Sequence, residues 1–207
     1  MKWEMASLSR AKMLGEIGSI MVVLTVVPSI GTILAIIGFV IMLMSIKEIS
    51  DVVADRSIFK NMLVGVGLAI AGIVLGVLVV VGSVLRFIDL GSLRTGLDFN
   101  TSSIPAGDLI AFISTVVIGL AVVWVMLLVS GIFVRRSYGS IASRLNINMF
   151  GIAGLVYVIG AATTIVLVGF FILFVAQILV IVSFFLIDEK SVTTVETSGS
   201  TGSGTTS

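Results

Sequence analysis

The sequence predicts an all-α membrane protein, a polytopic bundle of six transmembrane helices arranged as three hairpins. Three observations support this fold class. The 207 residues are 58% hydrophobic and only 11% charged, whereas soluble domains carry roughly 25% charged residues. Two stretches with almost no charge are too long for one membrane crossing. Most of the basic residues fall on one side of the predicted membrane.

Composition also limits the partners and function classes. A globular chain of this length still exposes about a quarter to a third of its unfolded surface, so an apolar solvent, the lipid bilayer, must surround most of it. The formal net charge is +1, and the scattered basic residues give no indication of a nucleic-acid partner. Cysteine and histidine are absent, which excludes disulfides, zinc sites built on these residues and His-assisted nucleophiles. We therefore expect no cofactor, no metal site and no enzymatic activity.

The first hairpin is predicted from length and one proline. Between Lys12 and Lys47 the only formal charge is Glu16. As one helix this stretch would extend about 51 Å, against a hydrocarbon core of about 30 Å. Pro28 would cost a helix interior about 3 kcal/mol, so the chain is expected to reverse there. The predicted helices cover residues 8–27, retained rather than cleaved as a signal peptide, and 31–49.

The same arithmetic predicts a reversal near the C-terminus. The stretch from Met149 to Ile187 is uncharged and would extend about 58 Å as one helix, so it must also turn, most readily within Gly160–Gly169. Similar heptapeptides start the first, third and fifth predicted helices, either by chance or because three hairpins lie side by side in the same sense. The remaining helices are predicted over residues 61–85, 109–134, 146–163 and 166–187, and they complete a six-helix domain over residues 1–190.

The basic residues predict the orientation. Of the twelve Lys and Arg residues, only Arg86 and Arg94 fall on the side opposite the chain termini. Because short cytoplasmic loops are rich in Lys and Arg, we predict a multi-pass protein of the cell membrane with both termini in the cytoplasm.

Three segments outside the spans carry separate predictions. Residues 47–61 alternate apolar and charged side chains near helical spacing, which predicts a short helix at the cytoplasmic surface. The external loop, residues 86–108, contains an N-x-[ST] sequence that makes Asn100 a candidate glycosylation site. Residues 191–207 are almost entirely Ser, Thr and Gly and are predicted to be disordered.

Few polar residues fall inside the predicted spans. Glu16 is the only carboxylate there, and intramembrane acids are candidates for functional sites. Lys12 lies one helical step before Glu16, so the two form either an interfacial ion pair or part of a proton or cation site. Gln177 is the only amide well inside a span, and it serves either an interhelical hydrogen bond or contact with a polar substrate. Lys12, Glu16 and Gln177 are the candidate intramembrane polar site.

The third predicted helix is dense in small residues. Gly72 and Gly76 form a GxxxG pattern, and Gly67 with Ala71 extends it. Such a surface allows close approach of a neighbouring helix. These four residues are therefore the candidate helix-packing site, either inside the bundle or against a second protomer or another membrane subunit.

Several short motifs together resemble a known family. They are "AKMLGEIGSIM", "KEISD", "IFKNMLVG", "RRSYGSIA" and "GAATTIVLVGFFILFVAQILVIVSFF". In this order they resemble an archaeal integral-membrane family, domain of unknown function 996, over about residues 11–185. The resemblance implies an archaeal multi-helix membrane protein without an established activity, and it carries over no catalytic residue.

Two function hypotheses follow. The scarcity of polar groups in the spans favours a non-enzymatic scaffold or accessory subunit of a membrane complex. The alternative is a small transporter or channel for an ion or small solute, which would use a few polar side chains: Glu16, Gln177, Thr163, Thr164, Asn61 and Asn148. Convergence of these side chains on one water-accessible cavity would favour transport, whereas separate helix contacts would favour the accessory role.

Overall fold

The computed structural model describes residues 2–87, 106–166 and 168–187, and in this part of the chain the regular secondary structure is all helical, with no strand. The six helices are α1 (Lys2–Val23), α2 (Gly31–Val52), α3 (Arg56–Phe87), α4 (Ala106–Leu145), α5 (Asn148–Thr163) and α6 (Val168–Phe185). Short 3-10 turns follow α1 and α5, at Leu24–Val26 and Thr164–Val166. The predicted all-α class is confirmed.

The helices pair as three hairpins, as the sequence predicts. α1 packs along α2, α3 along α4 and α5 along α6; α1 also contacts α6, α4 contacts α5, and α2 touches α3. In α1–α2 the crossing point is Gly18 against Gly38, where a Cβ added to Gly18 would lie 2.7 Å from the Gly38 carbonyl oxygen. Backbone therefore meets backbone at this crossing, because neither residue has a side chain.

The chain reverses at Pro28 in a tight turn. Val27 is extended and Ser29 has a φ of 72°, a left-handed conformation that ends a helix. The next helix must start with a residue lacking a side chain, since a Cβ on Gly31 would lie 2.5 Å from the Leu24 carbonyl oxygen. One long bent helix is thus excluded here.

Two predictions about the ends of helices are wrong. Residues 47–61 do not form a separate surface helix: α2 continues to Val52, and α3 begins at Arg56 after a turn in which Ala54 has a φ of 52°. α4 does not end at residue 134 but continues to Leu145. It continues because Tyr138 and Ile141 are buried on its inner face, so packing extends the helix beyond the apolar stretch.

The buried core lies at one end of the bundle. Its side chains come from the first turns of α1, α3 and α5 and the last turns of α2, α4 and α6, and include Leu8, Ile46, Ile58, Ile141, Phe150, Phe184 and Ile187. The same turns carry most of the described basic residues, so we call this the charged end: Arg10, Lys12, Lys47, Lys60, Arg135, Arg136 and Arg144.

Away from the charged end the surface is apolar. Val26, Ile118 and Phe171 are 72%, 65% and 77% exposed, and apolar surface of this extent is typical of proteins that contact a membrane or another protein. Five helices, α2 to α6, are long and apolar enough to cross a membrane. α1 differs from them because Arg10, Lys12 and Glu16 lie in the middle of its 22 residues. The cytoplasmic placement of both termini stays a prediction.

Some predictions fall outside the described residues. These concern most of the external loop with its candidate glycosylation site, Asn100, and the Ser/Thr/Gly-rich segment at residues 191–207.

Candidate functional site

Two of the three candidate polar residues, Lys12 and Gln177, lie at the contact between α1 and α6. The Lys12 ammonium donates a hydrogen bond to the Ile187 carbonyl oxygen at 2.9 Å. One helical turn further, Gly15 leaves space for the Phe184 ring, which lies against it. The Gln177 amide then donates a 3.5 Å bond to the Ser19 carbonyl oxygen. The two helices are therefore joined by polar contacts above and below an aromatic contact.

Lys12 binds a backbone carbonyl rather than a carboxylate. Ile187 lies two residues beyond the end of α6, next to the partially negative C-terminal end of the helix dipole, which favours an ammonium group at this position. Among the residues whose contacts are described, no ion pair joins Lys12 to Glu16. Of the two alternatives that the sequence left open for this pair, the ion pair does not form in this structure.

Glu16 lies on α1 next to this contact, but its carboxylate makes none of the hydrogen bonds described between α1 and α6. Its side chain is partly buried, and its backbone oxygen accepts a 3.1 Å bond from the Ser19 hydroxyl, which also bonds the Gly15 oxygen at 2.6 Å. Glu16 and Gln177 are thus brought to neighbouring turns of the same helix contact.

The threonines of the transport hypothesis lie elsewhere. Thr163 donates to the Ile159 oxygen at 2.8 Å, and Thr164 donates to the Gly160 oxygen at 2.8 Å. Both hydroxyls therefore satisfy the end of their own helix, α5, and do not face Gln177.

A second polar network, at the charged end, links the start of α3 to the end of α4. Asp55 caps α3 by accepting bonds from the Ser57 hydroxyl at 2.6 Å and the Ser57 backbone N–H at 3.1 Å. Its other oxygen accepts from Arg144 at the end of α4, at 3.2 Å and 3.3 Å. The Ser57 hydrogen bonds, aided by Arg144, hold the pKa of Asp55 below its ordinary value.

Comparison with known proteins decides the family. The model of the family described as protein of unknown function DUF996 matches residues 34–178. The chain belongs to the DUF996 family. It is 33% identical over 179 residues to an uncharacterized protein of the archaeon Methanocaldococcus jannaschii, covering 86% of this chain and 92% of the relative. No solved structure matches this chain. The resemblance seen in the sequence is thereby confirmed.

In this DUF996 protein the four predicted packing residues face two directions. A Cβ on Gly72 would lie 3.0 Å from the Met126 Cβ, so this glycine faces α4, and Gly76 meets Val123 of the same helix. Gly67 has nothing within 4 Å of such an atom, and Ala71 is exposed. Gly72 and Gly76 thus pack against α4 inside the hairpin, whereas Gly67 and Ala71 lie on its outer surface.

Other contacts of the DUF996 protein were missed by the sequence analysis. The Gly18–Gly38 crossing was not proposed, although Gly15 and Gly18 on α1 could have suggested a close approach. Trp124 of α4 donates its indole N–H to the Ala162 oxygen of α5 at 3.0 Å. No local sequence pattern marks that bond, because its acceptor is a backbone atom of another helix.

Proposed function

We propose that the protein is a non-enzymatic scaffold or accessory subunit of a membrane complex. The observation that supports this best is how the polar side chains of the apolar segments are used. Lys12 and Gln177 join α1 to α6, and Trp124 joins α4 to α5. These groups stabilise helix packing, since an interhelical hydrogen bond in a membrane contributes about 1 kcal/mol.

The same observation weighs against the transporter alternative. A solute pathway needs polar groups that face a shared space, whereas Thr163 and Thr164 bond to their own helix, away from Gln177. The groove at Leu75, Val79 and Ile118 between α3 and α4 is apolar apart from one threonine. Glu16 remains the residue on which a transport function would depend.

The outer surface of α3 is the contact we assign to a partner subunit. Gly67 and Ala71 are exposed there, one turn apart, beside Ile70 and Val74, which are 56% and 51% exposed. Small residues permit close helix contact in lipid, where packing rather than the hydrophobic effect drives association.

Site-specific cross-linking tests the scaffold proposal. A photoreactive residue at Ala71, compared with one at Ile33 on α2, which is 62% exposed, should give a defined adduct in native membranes only from the α3 position. Equal, diffuse labelling from both positions would contradict the proposal.

A flux measurement tests the alternative. The purified protein in liposomes should conduct neither protons nor monovalent cations, and a Glu16→Gln variant should behave identically. Flux that the wild type shows and the Glu16→Gln variant lacks, with unchanged assembly, would establish transport instead.

A further inference from the structure

The three hairpins reach different heights above the charged end. At the level of the Gln177–Ser19 bond, α1 has only about 10 Å left to Val26, and α6 only about 14 Å to Val168. The tips of α1–α2 and α5–α6 therefore end at similar heights. The Trp124–Ala162 bond places Trp124 of α4 beside the tip of α5–α6.

The α3–α4 hairpin continues well past that level. Val123 of α4 lies against Gly76 of α3, so these two residues are at the same height and the remaining length of each helix is counted from them. α3 runs a further 14 Å or so to Leu85, and α4 about 20 Å to Ile110. Leu78, Ile118 and Ile110 in this part are 61%, 65% and 65% exposed. The tip of α5–α6 at Val166 lies about 6 Å past Ala162 in the same direction, so the apolar surface of α3 and α4 extends about 8 Å and about 14 Å beyond the tips. In a membrane, hydrocarbon must surround side chains of this kind.

The residues at both tips are uncharged and mostly apolar, and their hydroxyl groups bond within the chain, as expected for turns that are not in contact with water. No charged residue occurs from Ile17 to Ile46, and the tip residues Val26 and Val166 are 72% and 65% exposed. In each turn, threonine hydroxyls bond to carbonyl oxygens of the preceding helical turn and so need no water as a partner. Thr25 donates to the Val22 oxygen at 2.5 Å, and Thr163 and Thr164 serve α5 in the same way. Backbone groups must be satisfied internally where hydrocarbon replaces water.

We propose that the α1–α2 and α5–α6 hairpins are re-entrant. Both enter the membrane at the charged end and turn back inside the hydrocarbon layer, and acyl chains of the opposite leaflet cover their tips. Among the described helices, only α3 and α4 then cross completely. This inference depends on lipid as the solvent and not on the scaffold role, so either proposal can fail without the other.

The absence of cysteine allows a direct measurement of depth. Single variants Val26→Cys and Val166→Cys carry a spin label at each tip, and the protein is reconstituted in phosphatidylcholine liposomes. Val125→Cys, 51% exposed on α4 beside Trp124, is the control at the same height, and Ile110→Cys is the reference near the far boundary. Power saturation compares collision of each label with oxygen, which concentrates in hydrocarbon, and with a water-soluble nickel chelate.

The tip labels should show the oxygen-to-nickel ratio of the Val125 label, several-fold above that of the Ile110 label. A tip label as accessible to nickel as the Ile110 label would overturn the proposal. A tip label shielded from both oxygen and nickel would also overturn it, because protein rather than lipid would then cover the tip. Ile30→Cys and Ile165→Cys, 56% and 59% exposed, supply second positions if a first variant does not fold.

Discussion

Substituting alanine at the crossing of α1 and α2 should destabilise the protein measurably. A Cβ on Gly18 would lie 2.6 Å from the Met42 backbone nitrogen and 2.7 Å from the Gly38 oxygen. Ordinary van der Waals contact needs about 3.4 Å, so the two backbones must separate by about 0.7 Å. Overpacking of this kind costs about 1–3 kcal/mol, which exceeds the helix-propensity gain of about 1 kcal/mol for Gly→Ala. The expected net loss for Gly18→Ala is up to about 2 kcal/mol, and the variant should be about 1–3 kcal/mol less stable than one that only gains helix propensity.

Gly67→Ala is the matched control for this prediction. Nothing lies within 4 Å of a Cβ at Gly67, so this variant keeps the propensity gain and should be as stable as the wild type or slightly more stable. Thermal unfolding in mild detergent, followed by circular dichroism, should show a Tm roughly 2–12 °C lower for Gly18→Ala than for Gly67→Ala, since 1 kcal/mol shifts Tm by about 2–4 °C at this size. Equal Tm values for the two variants would refute the close backbone crossing.

Three further predictions concern the core, the α3 cap and the orientation. Phe184→Ala should cost about 3–5 kcal/mol in denaturant unfolding because the ring is fully buried, whereas Phe171→Ala, at a 77% exposed ring, should be close to neutral; equal effects would contradict the described core. Because the folded pKa of Asp55 is lowered by Ser57 and Arg144, its contribution to stability is present above the unfolded pKa of about 3.9 and is lost as the pH falls through the lower folded pKa. When the free energy of unfolding is measured against pH, Asp55→Asn should lose less stability on acidification than the wild type. An identical loss of stability at acid pH in the two proteins would argue against the cap. Tags on the two termini should be cleaved by protease from the same face of membrane vesicles, and protection of only one tag would show that the orientation is wrong.

The hairpins were predictable because length and composition decide them. A stretch of about 51 Å cannot stand straight across a layer of about 30 Å, and Pro28 leaves one good place for the reversal. The pairing of α3 with α4 follows from chain connectivity in the same way. Family membership was predictable because five short motifs occur in one order.

The polar contacts were not predictable from local pattern. Lys12 has a carboxylate at helical spacing, yet its ammonium binds the carbonyl of Ile187, which comes close only when α6 packs beside α1. The length of α4 was underestimated because the charges at Arg135 and Arg136 end the apolar stretch but not the helix, which continues to Leu145. Which half of the Gly67–Gly76 pattern faces α4 depends on the rotation of α3, and both faces carry small residues.

The indole of Trp124 gives the protein a built-in optical reporter. The only other tryptophan is Trp3, so a Trp3→Phe variant would fluoresce from a single ring whose N–H holds the Ala162 carbonyl. Separation of α4 from α5 would break that hydrogen bond and shift the wavelength of maximum emission. Binding of a partner, or a change of lipid thickness, can therefore be followed in real time without attaching a dye.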